Sequence, residues 1–186
     1  MPISCNLAPF INIPFYVTGE YGEPRIDHTH KGVDLSTGLI SNVCSMTNGI
    51  VTHSASGMGY GEYVIVKENG TGMSFLYGDL QNRQVSVGDS VSLGTILGKE
   101  GSPAGATGFH VHVEQQDTST HNWYFTTYES GYYINPCLIM GVQNVESYTT
   151  SYIYNGTPPT PPPSLKSTKK FPWVVYARKL RNIHKI

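Results

Sequence analysis

Cysteine, charge and long apolar runs are all scarce in this chain. Its three cysteines, Cys5, Cys44 and Cys137, are odd in number and widely spaced, with no CxxC pair. That excludes a zinc ribbon and a disulfide scaffold and leaves them as core thiols. No stretch of 18 apolar residues occurs, so no membrane-spanning helix is expected. Met1 to Phe10 lacks a basic segment followed by an apolar one, so no Sec signal is visible. A protein of this kind working outside the cell is delivered by another route, or its leader has been removed. Charged residues amount to only 13% of the chain, and no acid follows Glu146. Residues 1–165 hold five Lys and Arg against 13 Asp and Glu, a net charge of −8, whereas 166–186 carry +7. An acidic body with a basic tail argues against nucleic acid as the partner.

What is present describes one domain of ordinary size, with 186 residues and 39% apolar content, rich in Gly (20), Tyr (13) and Pro (12). That mix is too aromatic for a disordered chain and too rich in turn formers and β-branched residues for a helical bundle, so an all-β fold is expected. Short β-type runs at 49–53, 63–67, 73–77, 84–87 and 109–114 are separated by glycines. Asn69-Gly70 reads as a two-residue hairpin turn with positive φ at both positions. The segment TPPTPPPS cannot supply ladder hydrogen bonds and runs extended. The chain is thus divided into a domain at 1–150, a Pro-rich linker at 151–165 and a basic tail at 166–186. In the tail, Val174, Ala177, Leu180 and Ile183 recur at helical spacing.

Chemistry is concentrated in two short stretches. In Phe109-His110-Val111-His112-Val113-Glu114, alternation in a strand puts His110 and His112 on one face and the valines in the core. In His30-Lys31-Gly32-Val33-Asp34, a turn entering a strand lets imidazole and carboxylate converge, with Gly32 allowing a tight fold. Either motif alone more often decorates a surface. Together they offer two nitrogens and one oxygen, the three-ligand set of a catalytic zinc with one position left for water. Zinc lowers the pKa of that water and polarises a carbonyl, which suits amide hydrolysis.

At this point the sequence resembles the lysostaphin-type zinc peptidases, which cut peptide bonds in bacterial peptidoglycan. The resemblance runs from about Phe15 to Met140. It rests on Tyr21-Gly22-Glu23-Pro24-Arg25 as an entry turn, HKGVDLS as HxGxD, Asn48-Gly49-Ile50-Val51, and Gly59 to Val66 as "GyGn.v.i". It continues through a Gly-punctuated hairpin formed by 87–91 and 94–98, Thr107 to Glu114 as "tG.HlHfe", and Asn135-Pro136. It implies an antiparallel β-sheet architecture, sandwich-like, with zinc in a groove. The implied metal ligands are His30, Asp34 and His112, and His110 falls on the position of the proton-transferring imidazole. One position departs: where the family has YxHL, this chain has Tyr77-Gly78-Asp79-Leu80. An ionised aspartate cannot donate a hydrogen bond to a developing oxyanion. Asp79 could orient the zinc water, close the metal site as a fourth ligand, or point away while His53 or His121 replaces it. The first is favoured because the other four positions are intact.

The function this implies is hydrolysis of wall cross-links, by stem peptide or cross-bridge cleavage, at the bacterial cell wall. With no Sec signal, it suits a phage lysin or a virion-associated enzyme, and the basic tail suits a wall polymer, a membrane surface or a virion protein. The alternative is a degenerate member that binds wall peptide or a partner protein without cutting.

Overall fold

Val111–Asp117 (β9) organises the molecule, since three other strands pair with it and every pairing is antiparallel. In the computed structural model, which describes residues 8–102 and 108–146, ten strands join in one sheet. They are Tyr16–Gly19 (β1), Val33–Ser36 (β2), Asn42–Cys44 (β3), Gly49–Ser56 (β4), Glu62–Glu68 (β5), Met73–Gln81 (β6), Ser90–Val91 (β7), Ile96–Glu100 (β8), β9 and Tyr133–Ile134 (β10). The main path is β1-β2-β9-β6-β5-β4-β7; β10 pairs with β9, and β8 bridges β6 to β3. Among the described residues, helix is limited to a 3-10 turn at Tyr128–Ser130 and a single turn at Cys137–Met140. The all-β expectation and the antiparallel sheet both hold.

Alternation gives the sheet two apolar faces. Val33 and Leu35 of β2, Val64 and Val66 of β5, Phe75 and Tyr77 of β6, and Val111 and Val113 of β9 fill the larger core. Tyr63, Ile65 and Leu76 point the other way and pack with Tyr60, Trp123 and Tyr133. Asp34 falls between Val33 and Leu35, His112 between Val111 and Val113, and Glu114 just after Val113, so the sequence period alone places them on this second face. Cys44 and Cys137 are buried, as expected of core residues. Cys5 and the whole of the linker and basic tail lie outside the described residues.

Four local expectations differ from the structure. Residues 84–87 form no strand; the segment is tied by single bonds, Gln84 N to Leu97 O and Ser54 Oγ to Val85 O. The link between β5 and β6 spans four residues, and positive φ falls on Gly70 and Gly72 rather than on Asn69. The stretches 87–91 and 94–98 are not partners in a hairpin: β7 adds to β4, while β8 joins β3 and β6. Their buried residues, Val91 and Leu97, are drawn to different parts of the core. Finally, His110 sits just before β9, held by a bridge to Gly101.

A candidate metal centre in an open groove

His30 arrives on a tight hairpin. Its backbone N–H donates to Glu23 O, its carbonyl accepts from Gly22, and Pro24 bridges Thr29. Its Nδ1–H donates to Glu20 O at 2.6 Å, which turns Nε2 inward. Asp34 of β2 stands opposite His112 of β9 in register. His112 Nε2–H donates to the fully buried Glu114 at 3.0 Å, which turns Nδ1 inward. The three inward atoms nearly touch: His30 Nε2 and His112 Nδ1 are 3.0 Å apart, Asp34 Oδ1 is 2.8 Å from His112 Nδ1 and 3.2 Å from His30 Nε2.

This donor set fits a zinc ion. With the outer ring nitrogens carrying the protons, two lone pairs and a carboxylate oxygen converge, and such groups repel unless a cation lies among them. Tetrahedral zinc with bonds of about 2.0–2.1 Å spaces its ligands by about 3.3 Å, close to what is found. Hydrogen bonds from a ligating histidine to a carbonyl or carboxylate are the usual way its tautomer is fixed. Among the described residues, His30, Asp34 and His112 form the group able to hold a metal. The local field is consistent with cation binding. Burial opposes ionisation of Asp34, yet the two histidines facing it outweigh it and hold the carboxyl well below the usual range. Burial likewise opposes charge on His112, but Asp34 and Glu114 outweigh it and raise its basicity.

Gly32 has a different role from the tight turn expected. Its φ is ordinary, but a Cβ there would collide with the Val113 carbonyl oxygen and lie 2.9 Å from His112 Cε1. The missing side chain is the space that the His112 ring occupies.

His110 and Asp79 face the same groove. In β6, Gly78 and Asp79 together oppose Tyr63 of β5, a bulge with Asp79 at φ +56°, and Asp79 N–H donates to Tyr60 O. Bulges of this kind re-aim a side chain, and Asp is among the few residues at ease with positive φ. The Asp79 carboxylate ends 3.2 Å from His110 Nε2, while His110 Nδ1 faces Gly108 O at 3.3 Å. Burial lowers the pKa of His110, yet the hydrogen bond to Asp79, the charges of Asp34 and Asp79 and the Gly108 carbonyl together outweigh it, and the net shift is upward. Asp79 is therefore placed on His110, apart from the three converging ligand atoms. His53 packs on Phe125 and His121 stacks on Tyr124, and neither lines the groove. His28, exposed and paired with Asp27, sits at its edge.

The groove holds about 1080 Å³. Four residues that support it were not anticipated from the sequence. Arg25 donates to Asp34 Oδ2 at 2.9 Å, holding the carboxylate whose other oxygen faces the histidines. Glu114 accepts from Tyr60 Oη at 2.9 Å, and Lys31 Nζ donates to the same hydroxyl at 2.6 Å. Lys31 thereby closes a chain from solvent to His112. Glu114 was the legible one, two residues beyond His112 on the same strand face; Tyr60 and Lys31 act through partners far off in sequence, and Arg25 reaches Asp34 only through the fold of the entry hairpin.

Comparison with known proteins agrees with this geometry. Among solved structures, the catalytic domain of the antimicrobial peptidase lysostaphin from Staphylococcus simulans is 22% identical, with a TM-score of 0.55 over 67% of this chain and 89% of that one. A point mutant of the catalytic domain of the prophage-encoded M23 protein EnpA from Enterococcus faecalis is 26% identical, with a TM-score of 0.55 over 70% and 95%. A zinc-containing peptidase from Vibrio cholerae is 22% identical, with a TM-score of 0.53 over 61% and 36%. Residues 28–130, which include every side chain that converges in the groove from His30 to His112, match the model of peptidase family M23. The chain belongs to peptidase family M23.

Proposed function

We propose that the chain is a zinc-dependent endopeptidase that hydrolyses peptide cross-links in bacterial peptidoglycan. The observation that carries this reading is the convergence of His30 Nε2, Asp34 Oδ1 and His112 Nδ1 in an open groove, with His110 on the same wall. His30, Asp34 and His112 would hold the metal, which when bound would polarise the scissile carbonyl and acidify a water at its open position.

The protein's own groups do the rest. Neutral His110 takes the proton from the attacking water, and its imidazolium returns a proton to the leaving amine. Asp79 sets the ring's orientation and stabilises the charge that the ring gains, a carboxylate-on-imidazole arrangement in place of the histidine usual in this family. Arg25 and Glu114 keep Asp34 and His112 aimed inward. The groove's open form admits an extended peptide. Phage delivery to the cell wall is supported by the prophage origin of EnpA, and among the described residues no helix is long and apolar enough to cross a membrane. The basic tail is proposed to add affinity for an anionic wall polymer, a membrane surface or a virion protein.

Asp79 also favours a second reading, a member that binds wall peptide or a partner protein without cutting it. Turbidity of purified walls separates the two. The zinc-loaded protein should clear them, and chelated protein and His110→Ala should not. Stoichiometric zinc with no clearing of any wall type would establish the second reading.

A further inference from the structure

We propose that the ring surface formed by His121, Tyr124 and Tyr132 binds the sugar rings of a neutral glycan strand. This rests on reading the groove as a site for wall peptide, because in peptidoglycan the peptide is covalently attached to such a strand.

The segment following β9 alternates inward and outward rings. Trp123 is 7% exposed and Tyr133 6%, both in the second core, whereas Tyr124 is 43% and Tyr132 38% exposed. The outward rings gather: His121 stacks on Tyr124 with centroids 4.4 Å apart and planes at 12°, and Tyr132 meets them edge-on at 5.1 and 5.0 Å. The cluster is anchored from below. Gln116, fully buried, donates through Nε2 to Tyr124 O at 2.8 Å and accepts from Tyr124 N–H at 3.1 Å, and the Tyr133 hydroxyl donates to the same carbonyl. A buried amide thus fixes the backbone that presents an exposed aromatic, so the ring is held in place at little entropic cost on binding.

The chemistry of the surface selects its ligand. Across residues 118–132 the one Asp, Glu, Lys or Arg is Glu129, so no lysine or arginine there would attract a polyanion. Aromatic faces carry negative quadrupole charge, which matches the weakly positive C–H face of a pyranose. The Tyr124 and Tyr132 hydroxyls have no hydrogen-bond partner among the described residues, leaving donors and acceptors for the hydroxyl rim of a sugar. Position agrees: Thr126, Thr127, Tyr128 and Glu129, which lie between the two tyrosines in sequence, line the groove. A strand resting on the rings would lie next to the segment that forms this part of the groove wall.

The test is titration of the full chain with peptide-free glycan strands of alternating N-acetylhexosamines, followed by calorimetry and by tyrosine and histidine NMR shifts. Wild-type protein should bind, with shifts centred on His121, Tyr124 and Tyr132. Tyr124→Ala/Tyr132→Ala should bind at least about tenfold more weakly, and Tyr124→Phe/Tyr132→Phe should retain most of the affinity. Absence of wild-type binding, shifts confined to another surface, or undiminished binding by the Ala variant would overturn the proposal. The NMR arm stands even if the Ala variant does not fold. Glycan binding without any peptide release from walls would support this inference while refuting the peptidase reading, so the two fail separately.

Discussion

Glu114→Gln is the most informative single substitution, because it changes one charge and almost no volume. Glu114 is fully buried and accepts from His112 Nε2 at 3.0 Å and from Tyr60 Oη at 2.9 and 3.2 Å, with Lys31 Nζ 4.0 Å away. A glutamine can keep a carbonyl at the Oε1 position, which accepts from both His112 and Tyr60, but its amide group then stands where the second carboxylate oxygen lay 3.2 Å from the Tyr60 hydroxyl. The imidazole also loses the carboxylate that makes it more basic, and Lys31 loses its buried counter-charge. Outer partners of metal-ligating histidines typically contribute 10- to 100-fold in metal affinity, or about 1.4–2.7 kcal/mol. Zinc affinity measured by competition with a chelating dye should therefore fall by that factor. Affinity within about twofold of wild type, in a variant with an unchanged melting curve, would refute the role assigned to Glu114.

His110→Ala should keep its zinc yet lose about 10²- to 10⁴-fold in peptide release, because the proton-transfer group is removed and the ligands are not; metal analysis beside a wall-digestion assay checks this. Asp79→Ala should also retain zinc and lose about tenfold or more, whereas Asp79→His should preserve or raise activity by restoring the family's usual group. Equal activity of the Ala variant would show that the bond to His110 is idle. Gly32→Ala forces a methyl against the Val113 carbonyl and the His112 ring, an overpacking worth about 1–3 kcal/mol, so calorimetry should show a lower Tm and the metal titration weaker zinc. The Glu68 pKa is raised by burial, which outweighs its bonds from Thr47 and Thr71. A folded pKa above the unfolded value means this group's contribution declines as pH rises from about 4.5 through the folded pKa. Glu68→Gln, whose amide the two hydroxyls can still satisfy, should flatten that part of the Tm-against-pH curve.

The residues that converge in the groove were visible in the sequence because their geometry is local. Period 2 in HVH and the short step from His30 to Asp34 follow from strand and turn geometry, whatever the rest of the chain does. Glu114 obeys the same period and could have been read with them. Arg25, Tyr60 and Lys31 could not, since Arg25 meets Asp34 of β2 only through the fold of the entry hairpin, and Tyr60 and Lys31 meet Glu114 only through how their segments pack on β9. The orientation of Asp79 depends on a bulge that only the register of β5 against β6 reveals. The same limit explains the misassigned pairing at 87–98: glycine spacing marks where strands end, while the choice of neighbour is made by the buried faces of Val91 and Leu97.

The account is tested most directly by mass spectrometry of fragments released from purified peptidoglycans by the zinc-loaded protein. It predicts soluble fragments in which a cross-link amide has gained one water, exposing a new amine and a new carboxylate, and their disappearance with His110→Ala. Intact cross-links in every wall tested, from protein carrying stoichiometric zinc, would contradict it.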